Sequence, residues 1–416
     1  MTLAVHSPRA LSLGWQMRLN LAALLSAICL GALQLDPLLG SRAILLFLGC
    51  GAVLVLSNVQ HNIQGLLRFW LILLLPLYCL ASTLWSEAPP DSFRGAIQLW
   101  LTVIIAITIA VRVPPRSALR AIFVVMFLTM IASVLFGRVR ADIGAWVGIF
   151  GSKNAFAAAV SVFLLASLAT LGDRAGSALE RWSGLAGLLL ALPLIGLAQS
   201  AGAIIVVVPG AALIMIVQLM RWFAPTHRVV LAAALLMLAA AMSLLIAAYW
   251  SEIMQLVLES SGKDVTLTGR TELWTVALDF ISQRPWFGMG FRAFWLHGFA
   301  PAEALWAQFG IGSRSGFNFH NTYLSNAVEI GIVGVALQVM LLATAFILTL
   351  RWSLRAPSAA NAFFAGYLTM ILCTSMVEVQ VFYQFSFQTV VVLLALVYAI
   401  RAASQIPRRS PLRYSR

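Results

Sequence analysis

Long runs of apolar residues, separated by short polar segments, follow one another along most of the chain. A membrane-spanning helix needs roughly 20 mostly apolar residues, because it crosses a hydrocarbon core of about 30 Å at 1.5 Å per residue. This pattern predicts about twelve spans. Their approximate centres are Ile28, Val53, Leu74, Ile105, Val125, Val162, Leu188, Val207, Leu238, Leu341, Tyr367 and Leu393. We therefore expect an all-α polytopic membrane protein, in which residues 183–220 form two spans if AQSAG at 198–202 is a turn.

One polar segment, at about residues 251–319, is much longer than the others and is rich in aromatic residues. A connection of this length is functional or disordered, and its aromatic residues favour packing or contact with the membrane. Within it, TELWTVALDFISQRP predicts a short interfacial amphipathic helix, with Thr271 as N-cap and Pro285 as the stop. Its apolar stripe comprises Leu273, Trp274, Ala277, Leu278 and Ile281.

The composition agrees with a membrane protein, because 61% of the residues are hydrophobic, 10% are charged and the mean hydropathy is +0.94. The net charge of +13 is spread over many loops, which argues against a nucleic-acid partner. Most Lys and Arg residues fall inside if both termini are cytoplasmic, which is the distribution that the positive-inside rule expects. We expect the first span to be retained rather than cleaved as a signal peptide.

This topology divides the chain into four regions. Residues 1–250 and 320–402 carry the spans, residues 251–319 form a periplasmic catalytic loop, and residues 403–416 form a basic cytoplasmic tail. The long loop then lies on the periplasmic face of a bacterial inner membrane.

Candidate chemistry lies at the outer surface, because the centres of the spans carry almost no charge. Glu329 and Glu378 lie near the outer ends of their spans, so the chain lacks the row of buried carboxylates that proton-coupled transporters use. The outer segments are instead basic, and guanidinium groups bind phosphate oxygens in a bidentate manner. Arg270 is the strongest candidate for binding phosphate, because it directly precedes the predicted helix, whose N-terminal amides would add to an anion site. Each basic residue could equally be a solvated charge or a contact to membrane lipids.

His320 lies at the N-terminus of its predicted span. The helix dipole there disfavours imidazolium, so we expect a neutral imidazole that can act as a general base. Glu272, Asp279 and Glu303 are expected to be solvated or paired with arginines, although one of them could be an alternative base. No cluster of His, Asp or Glu has the spacing of a metal site.

Four segments together resemble the O-antigen ligase and polymerase superfamily: FGSKNAFA at 150–157, LTGRTELW at 267–274, RPWFGMGFRAFW at 284–295 and HNTYLSNAVEIGIVG at 320–334. STLWSEAPPDSFRGAIQL at 82–99 is similar to the exopolysaccharide-production branch, whose members are thought to polymerise lipid-linked repeat units. One position departs from the pattern, because LAQSAGAII at 197–205 has Ala201 where many ligases carry an arginine.

The resemblance implies a metal-independent glycosyltransferase without a cofactor, whose glycan donor is a polyprenyl-diphosphate-linked oligosaccharide and whose acceptor is a saccharide or a lipid-linked glycan. By similarity, His320 is the base and Arg270 engages the diphosphate. Expected substrate-binding residues are Lys153, Asn154, Arg284, Arg292, Arg314, Asn321 and Tyr323. Polymerisation of repeat units is the leading hypothesis. The alternatives are a ligase for a lipid A core or another acceptor and, in another class, a lipid or polysaccharide transporter.

Overall fold

The computed structural model describes residues 21–141, 143–249, 252 and 267–404. Its helices are α1 (Leu21–Gln34), α2 (Asp36–Leu39), α3 (Ser41–Leu56), α4 (Val59–Arg68), α5 (Leu74–Ala81), α6 (Pro89–Arg112), α7 (Pro115–Phe136), α8 (Lys153–Leu171), α9 (Ala178–Leu197), α10 (Ala201–Met220), α11 (Pro225–Ala248), α12 (Leu267–Gln283), α13 (Ala300–Gln308), α14 (Thr322–Arg355), α15 (Ala359–Ser375) and α16 (Phe387–Ser404). Short 3₁₀ helices precede and follow α5, at Trp70–Leu73 and Ser82–Leu84. Strands β1 (Arg138–Val139) and β2 (Trp146–Gly148) form one antiparallel pair. Most of the predicted cytoplasmic tail, residues 405–416, lies outside the described residues.

The helical membrane architecture predicted from the sequence is confirmed. Each predicted span centre falls within a helix. Among the described residues, 7 helices are long and apolar enough to cross a membrane, or 8 if α3 and α4, bent by 99°, form one broken span. Helices α1 and α15 and the segment Trp70–Leu84 are apolar but shorter. About twelve crossings therefore stays a prediction.

The predicted turn near residues 198–202 is confirmed, because α9 ends at Leu197 and α10 begins at Ala201. Gln199 in the turn has a φ of 48°, in the left-handed region. The turn returns the chain across the bundle and brings Ser200 to the N-terminal end of α8, where its hydroxyl donates to Asn154 Oδ1 at 3.4 Å.

Helices α8 and α16 lie at the centre of the bundle. In their apolar 18-residue stretches 72% and 67% of the residues are buried, compared with 28% for α9 and α10. Peripheral helices leave apolar side chains exposed, as expected for surfaces that face lipid. Small residues allow the closest helix contact: a Cβ atom on Gly210 of α10 would lie 2.6 Å from the carbonyl oxygen of Gly366 in α15. The core of the bundle is therefore built by close packing of apolar and small side chains.

Helix α14 is broken at Gly331, whose φ of 64° and ψ of −176° are not helical. The segment 285–290 lies along this break. Met289 N donates to Val328 O at 2.9 Å, Gly290 N donates to Glu329 O at 2.8 Å, and Ile332 N donates to Pro285 O at 2.8 Å. The break thus frees backbone groups that fix the long loop against the start of α14.

The described part of the long loop, residues 267–319, packs into its own apolar cluster, as its aromatic content predicted. Buried members are Leu273, Ala277, Met289, Ala293, Phe294, Ala302, Leu305, Trp306, Phe319 and Val328. Its members come from α12, from the segment between α12 and α13, from α13, and from the residues just before and at the start of α14.

Three details of the predicted loop helix are wrong. Helix α12 already includes Leu267, so Thr271 lies inside it and is not its N-cap, and Arg270 lies within the helix rather than before it. The segment Leu267–Arg270 is helical although it contains Gly269, so capping propensity at Thr271 was overridden. Leu278 was assigned to the apolar stripe but is 55% exposed, because the cluster covers the side of α12 that carries Leu273 and Ala277.

Candidate active site

His320 is fixed by the residues on either side of it. The ring of Phe319 is fully buried in the aromatic cluster, and its carbonyl accepts a hydrogen bond from the Trp274 indole at 2.9 Å. Asn318 Oδ1 accepts from His320 N at 2.7 Å, and His320 has a φ of 48°. Asn321 caps α14 by accepting from the amides of the first turn. The imidazole is therefore held at the start of the helix, where the sequence predicted it.

Glu378 lies in the connection between α15 and α16, after the end of α15 at Ser375. This connection is fastened to the start of α14. Thr322 Oγ1 donates to Glu378 O at 2.8 Å and accepts from Gln380 N at 3.1 Å, while the Asn321 amide donates to Met376 O at 2.9 Å. These contacts place the Glu378 carboxylate beside His320.

The Glu378 carboxylate joins the two residues predicted to be catalytic. Its Oε2 lies 2.9 Å from His320 Nδ1, and its Oε1 accepts from Arg270 Nη2 at 2.8 Å. The side chains of Arg270, His320 and Glu378 are 25%, 27% and 20% exposed, so water screens the pairing only in part. Arg270 and His320, 50 positions apart in the sequence numbering, meet through one carboxylate.

This contact favours one tautomer of the imidazole. An ionised carboxylate only accepts hydrogen bonds, so it favours the tautomer with the proton on His320 Nδ1. In the neutral ring, Nε2 is then the atom with a free lone pair. The helix dipole at this position disfavours imidazolium, whereas the adjacent Glu378 carboxylate favours it.

Asn154 and Lys153 reach the same place from the start of α8. Asn154 Nδ2 donates to Glu378 Oε1 at 3.2 Å, and Ser200 donates to the other end of the Asn154 amide. Lys153 Nζ donates to the carbonyl oxygen of Gln199 at 3.2 Å, in the turn before α10. The residue next to Ser200 is Ala201, the position at which, by the resemblance, many ligases carry an arginine. Lys153 is thus a cation at the same edge of the site.

Arg292 lies on a second side of the site. It has a φ of 62°, its amide donates to Glu329 Oε2 at 2.9 Å, and its guanidinium carbon lies 5.7 Å from the centre of the Tyr383 ring. Glu329 is 3% exposed. A cavity of about 630 Å³ opens here, lined by Arg292, Arg314 and Glu329 together with aromatic and amide side chains.

The other predicted substrate-binding residues have different surroundings. Arg284 forms an ion pair with Glu87, so it is not joined to the Glu378 group. Arg314 pairs with Glu303, and this hydrogen bond lowers the pKa of the Glu303 carboxyl from its usual value. Asn321 is 8% exposed and has a structural role as cap. Tyr323 lies in the first turn of α14 and is half-buried.

The remaining loop carboxylates do not reach His320 through any described contact. Glu272 accepts from Gln308 at 3.0 Å, and Asp279 accepts from Gln283 at 3.1 Å. Within the part of the chain that the structure describes, no three His, Cys, Asp or Glu residues group as metal ligands.

Sequence reasoning missed the roles of Glu378 and Glu329, because it treated both as isolated carboxylates at the ends of spans. One signal was present: the chain has only 14 acidic residues, and Glu378 lies in the otherwise uncharged stretch TSMVEVQVF. A carboxylate in such a stretch is costly unless it has a partner. The sequence does not show which partner it has.

Comparison with known proteins agrees with the resemblance drawn from the motifs. The sequence profile of the O-antigen ligase family matches residues 185–339, a range that includes Arg270 and His320. Exopolysaccharide production protein ExoQ of Rhizobium meliloti (strain 1021) is 31% identical over 345 residues, which are 80% of this chain and 78% of the relative. Among solved structures, a chain from a peptidoglycan synthase complex has a TM-score of 0.40 and 17% identity over 81% of this chain and 98% of that chain, a likeness too weak to support an argument. On the identity to ExoQ, the chain belongs to the O-antigen ligase family and is similar within it to an exopolysaccharide-production protein.

Proposed function

We propose that the protein is an inner-membrane glycosyltransferase that polymerises polyprenyl-diphosphate-linked oligosaccharide repeat units at the periplasmic face. Its family supports a polymerase or ligase role in polysaccharide biosynthesis. The observation that carries the proposal is the Glu378 carboxylate, which binds both the imidazole of His320 and the guanidinium of Arg270. A base and a fixed cation side by side suit a transfer reaction with a diphosphate leaving group.

In the proposed reaction, the oxygen of an acceptor hydroxyl attacks the anomeric carbon of the glycan donor. A new C–O bond forms as the bond from that carbon to the diphosphate oxygen breaks, and the diphosphate leaves with the electron pair. His320 Nε2 accepts the hydroxyl proton, and Glu378 stabilises the resulting imidazolium. Direct displacement inverts the configuration at the anomeric carbon, so retention in the new linkage would contradict this step.

Arg270 has the second role in the proposal, which is to hold the negative charge that develops on the diphosphate. A guanidinium has five N–H donors, so the contact from Nη2 to Glu378 leaves donors for phosphate oxygens. Lys153 is a further candidate, since it adjoins Asn154, whose amide donates to the same carboxylate. These cations would supply the electrostatic stabilisation on which such transfers depend.

The test is to give the purified protein one lipid-diphosphate-linked repeat unit without any other acceptor and to separate the products by size. We expect a ladder of multimers, and we expect His320→Ala to abolish it while the protein remains folded and inserted. A full ladder from His320→Ala would remove His320 as base. Transfer that needs a different acceptor would identify a ligase instead, which is the activity that the family description names. No bond formation with any acceptor would favour the transporter hypothesis.

A further inference from the structure

We propose that the cavity of about 630 Å³ beside the Glu378 group is a saccharide subsite, which holds the glycan next to the reacting carbon. This inference rests on the proposed function and extends it, because it names the place and the chemistry that recognise the sugar part of the substrate. The volume lies within the range of about 300–1,000 Å³ that is typical of small-ligand sites.

The cavity is directly beside the proposed base. Its lining includes Phe317 and Asn318, which precede His320, and Val379 and Gln380, which follow Glu378. The rings of Phe317 and His320 meet edge to face, with centroids 5.9 Å apart. A ligand in the cavity therefore lies against the same two segments that hold His320 and Glu378.

The lining has the chemistry that sugars require. Trp295, Trp306 and Phe317 supply aromatic surface, against which the C–H faces of a sugar ring can pack because the faces of aromatic rings are slightly negative. The amide side chains of Gln380, Gln384 and Gln388 supply both donors and acceptors for hydroxyl groups. Aromatic surface with a few polar groups that fix orientation is typical of a small-ligand site.

Two lining side chains have polar atoms without a partner among the residues that the structure describes. Trp306 is 3% exposed, and its indole Nε1 has no hydrogen-bond acceptor. The amide oxygen of Gln384 has no donor. Both atoms are buried, and a buried polar atom without a partner is costly, so each gains a partner when its side chain turns toward a ligand hydroxyl in the cavity.

The charges of the lining distinguish this cavity from a diphosphate site. Arg292 and Arg314 contribute two cationic groups, and Asp36 and Glu329 contribute two carboxyl groups. Glu303 also pairs with Arg314 from outside the lining. Carboxyl groups therefore lie beside both arginines of the lining, which suits a polyhydroxylated saccharide better than a diphosphate, and the proposal assigns the diphosphate to Arg270.

The experiment measures equilibrium binding of two probes to the full-length protein in lipid nanodiscs. The first is the repeat oligosaccharide, labelled and released from its lipid by mild acid, and the second is polyprenyl diphosphate without sugar. The variants Gln384→Met and Trp306→Phe keep size and apolar surface but remove one polar group each. We expect each to weaken oligosaccharide binding about fivefold, the size of one lost hydrogen bond, and to leave diphosphate binding unchanged.

The matched controls are Gln308→Met on α13 and Trp182→Phe on α9, since neither residue lines the cavity. Unchanged oligosaccharide binding in both cavity variants would overturn the inference, as would an equal loss of polyprenyl diphosphate binding. The KM values of the cavity variants then show whether the cavity holds the donor glycan or the acceptor. A higher KM for the lipid-linked glycan donor alone indicates the donor glycan. A higher KM for a soluble acceptor alone indicates the acceptor. Because binding needs no turnover, a protein that binds oligosaccharide but forms no linkage would contradict the proposed function and leave this inference standing.

Discussion

Glu378 is the residue on which the candidate site depends most, because one carboxylate contacts an imidazole, a guanidinium and an amide. Its two oxygens contact His320, Arg270 and Asn154 at 2.9, 2.8 and 3.2 Å. In the proposed mechanism it is a positioning residue, since it acts on the imidazole rather than on the substrate. It selects the ring nitrogen that carries the proton and limits the rotation of both side chains.

Glu378→Gln is expected to lower kcat by about 100-fold or more, within the range that general-base catalysis contributes. The amide keeps the size of the side chain but loses the charge that stabilises imidazolium, and its NH₂ group can face Nδ1 instead of an acceptor. The measurement is the initial rate of multimer formation across pH. Asp279→Asn is the control, because Asp279 is exposed on α12 and its carboxylate contacts Gln283. Equal rates in both variants would argue against the positioning role.

Arg270→Lys is expected to lower kcat/KM for the glycan donor by roughly tenfold or more, because an ammonium group cannot contact Glu378 and a phosphate with the planar geometry of guanidinium. Steady-state kinetics with varied donor concentration would measure the change. Arg120→Lys alters another arginine that pairs with a carboxylate, Glu180 at 2.7 Å, and should leave the rate unchanged. Unchanged donor affinity and turnover in Arg270→Lys would remove Arg270 from the diphosphate site.

At the scale of elements, the break in α14 determines how the long loop is attached. Gly331 has a φ of 64°, and a Cβ atom there would lie 2.3 Å from the carbonyl oxygen of Trp286. Gly288 lies on the loop side of this contact. Its φ is 65°, and a Cβ atom on it would lie 2.6 Å from the carbonyl oxygen of Glu329. The two glycines allow loop and helix backbones to exchange hydrogen bonds, which no larger residue would permit at this distance.

Gly331→Ala is therefore expected to destabilise the protein by about 2 kcal/mol or more, from the left-handed backbone and the close contact together. Thermal unfolding in detergent, followed by size-exclusion chromatography, would detect it as a lower melting temperature. Gly312→Ala is the matched control, because no atom lies within 4 Å of its Cβ position and its φ is not in the left-handed region. A Gly331→Ala protein as stable as Gly312→Ala would mean that the break tolerates a side chain.

For the whole molecule, the proposed orientation places the long loop outside and both termini inside. This assignment depends on the distribution of Lys and Arg among the loops. The exposed loop at residues 312–316 and the connection between α10 and α11 then lie on opposite sides of the membrane.

Labelling with a membrane-impermeant maleimide tests this arrangement in a background without Cys29, Cys50, Cys79 and Cys373. Ser313→Cys in whole spheroplasts should be labelled, because Ser313 is exposed in the long loop. Ala224→Cys, exposed between α10 and α11, should react only after the membrane is permeabilised. The reverse pattern would invert the topology and move the site to the cytoplasmic face.

The sequence by itself determined the features that depend on local pattern. Apolar runs of sufficient length have few alternatives to membrane helices, and the segments around Arg270 and His320 carried the resemblance to the family. It also placed His320 at the N-terminus of its span, and the structure confirms that α14 begins two residues later. Capping propensity misplaced the start of α12, because Leu267–Arg270 are already helical.

Only the tertiary structure decided which of the many candidate residues form one site. Glu378, Arg270, His320 and Asn154 lie on separate segments, and the fastening of the α15–α16 connection to α14 brings them together. The same packing left Arg284 paired with Glu87 and opened the cavity beside Phe317. Contacts between residues far apart in sequence follow from how helices pack and where α14 breaks, and a periodic apolar pattern contains no information about which partner a polar side chain will meet.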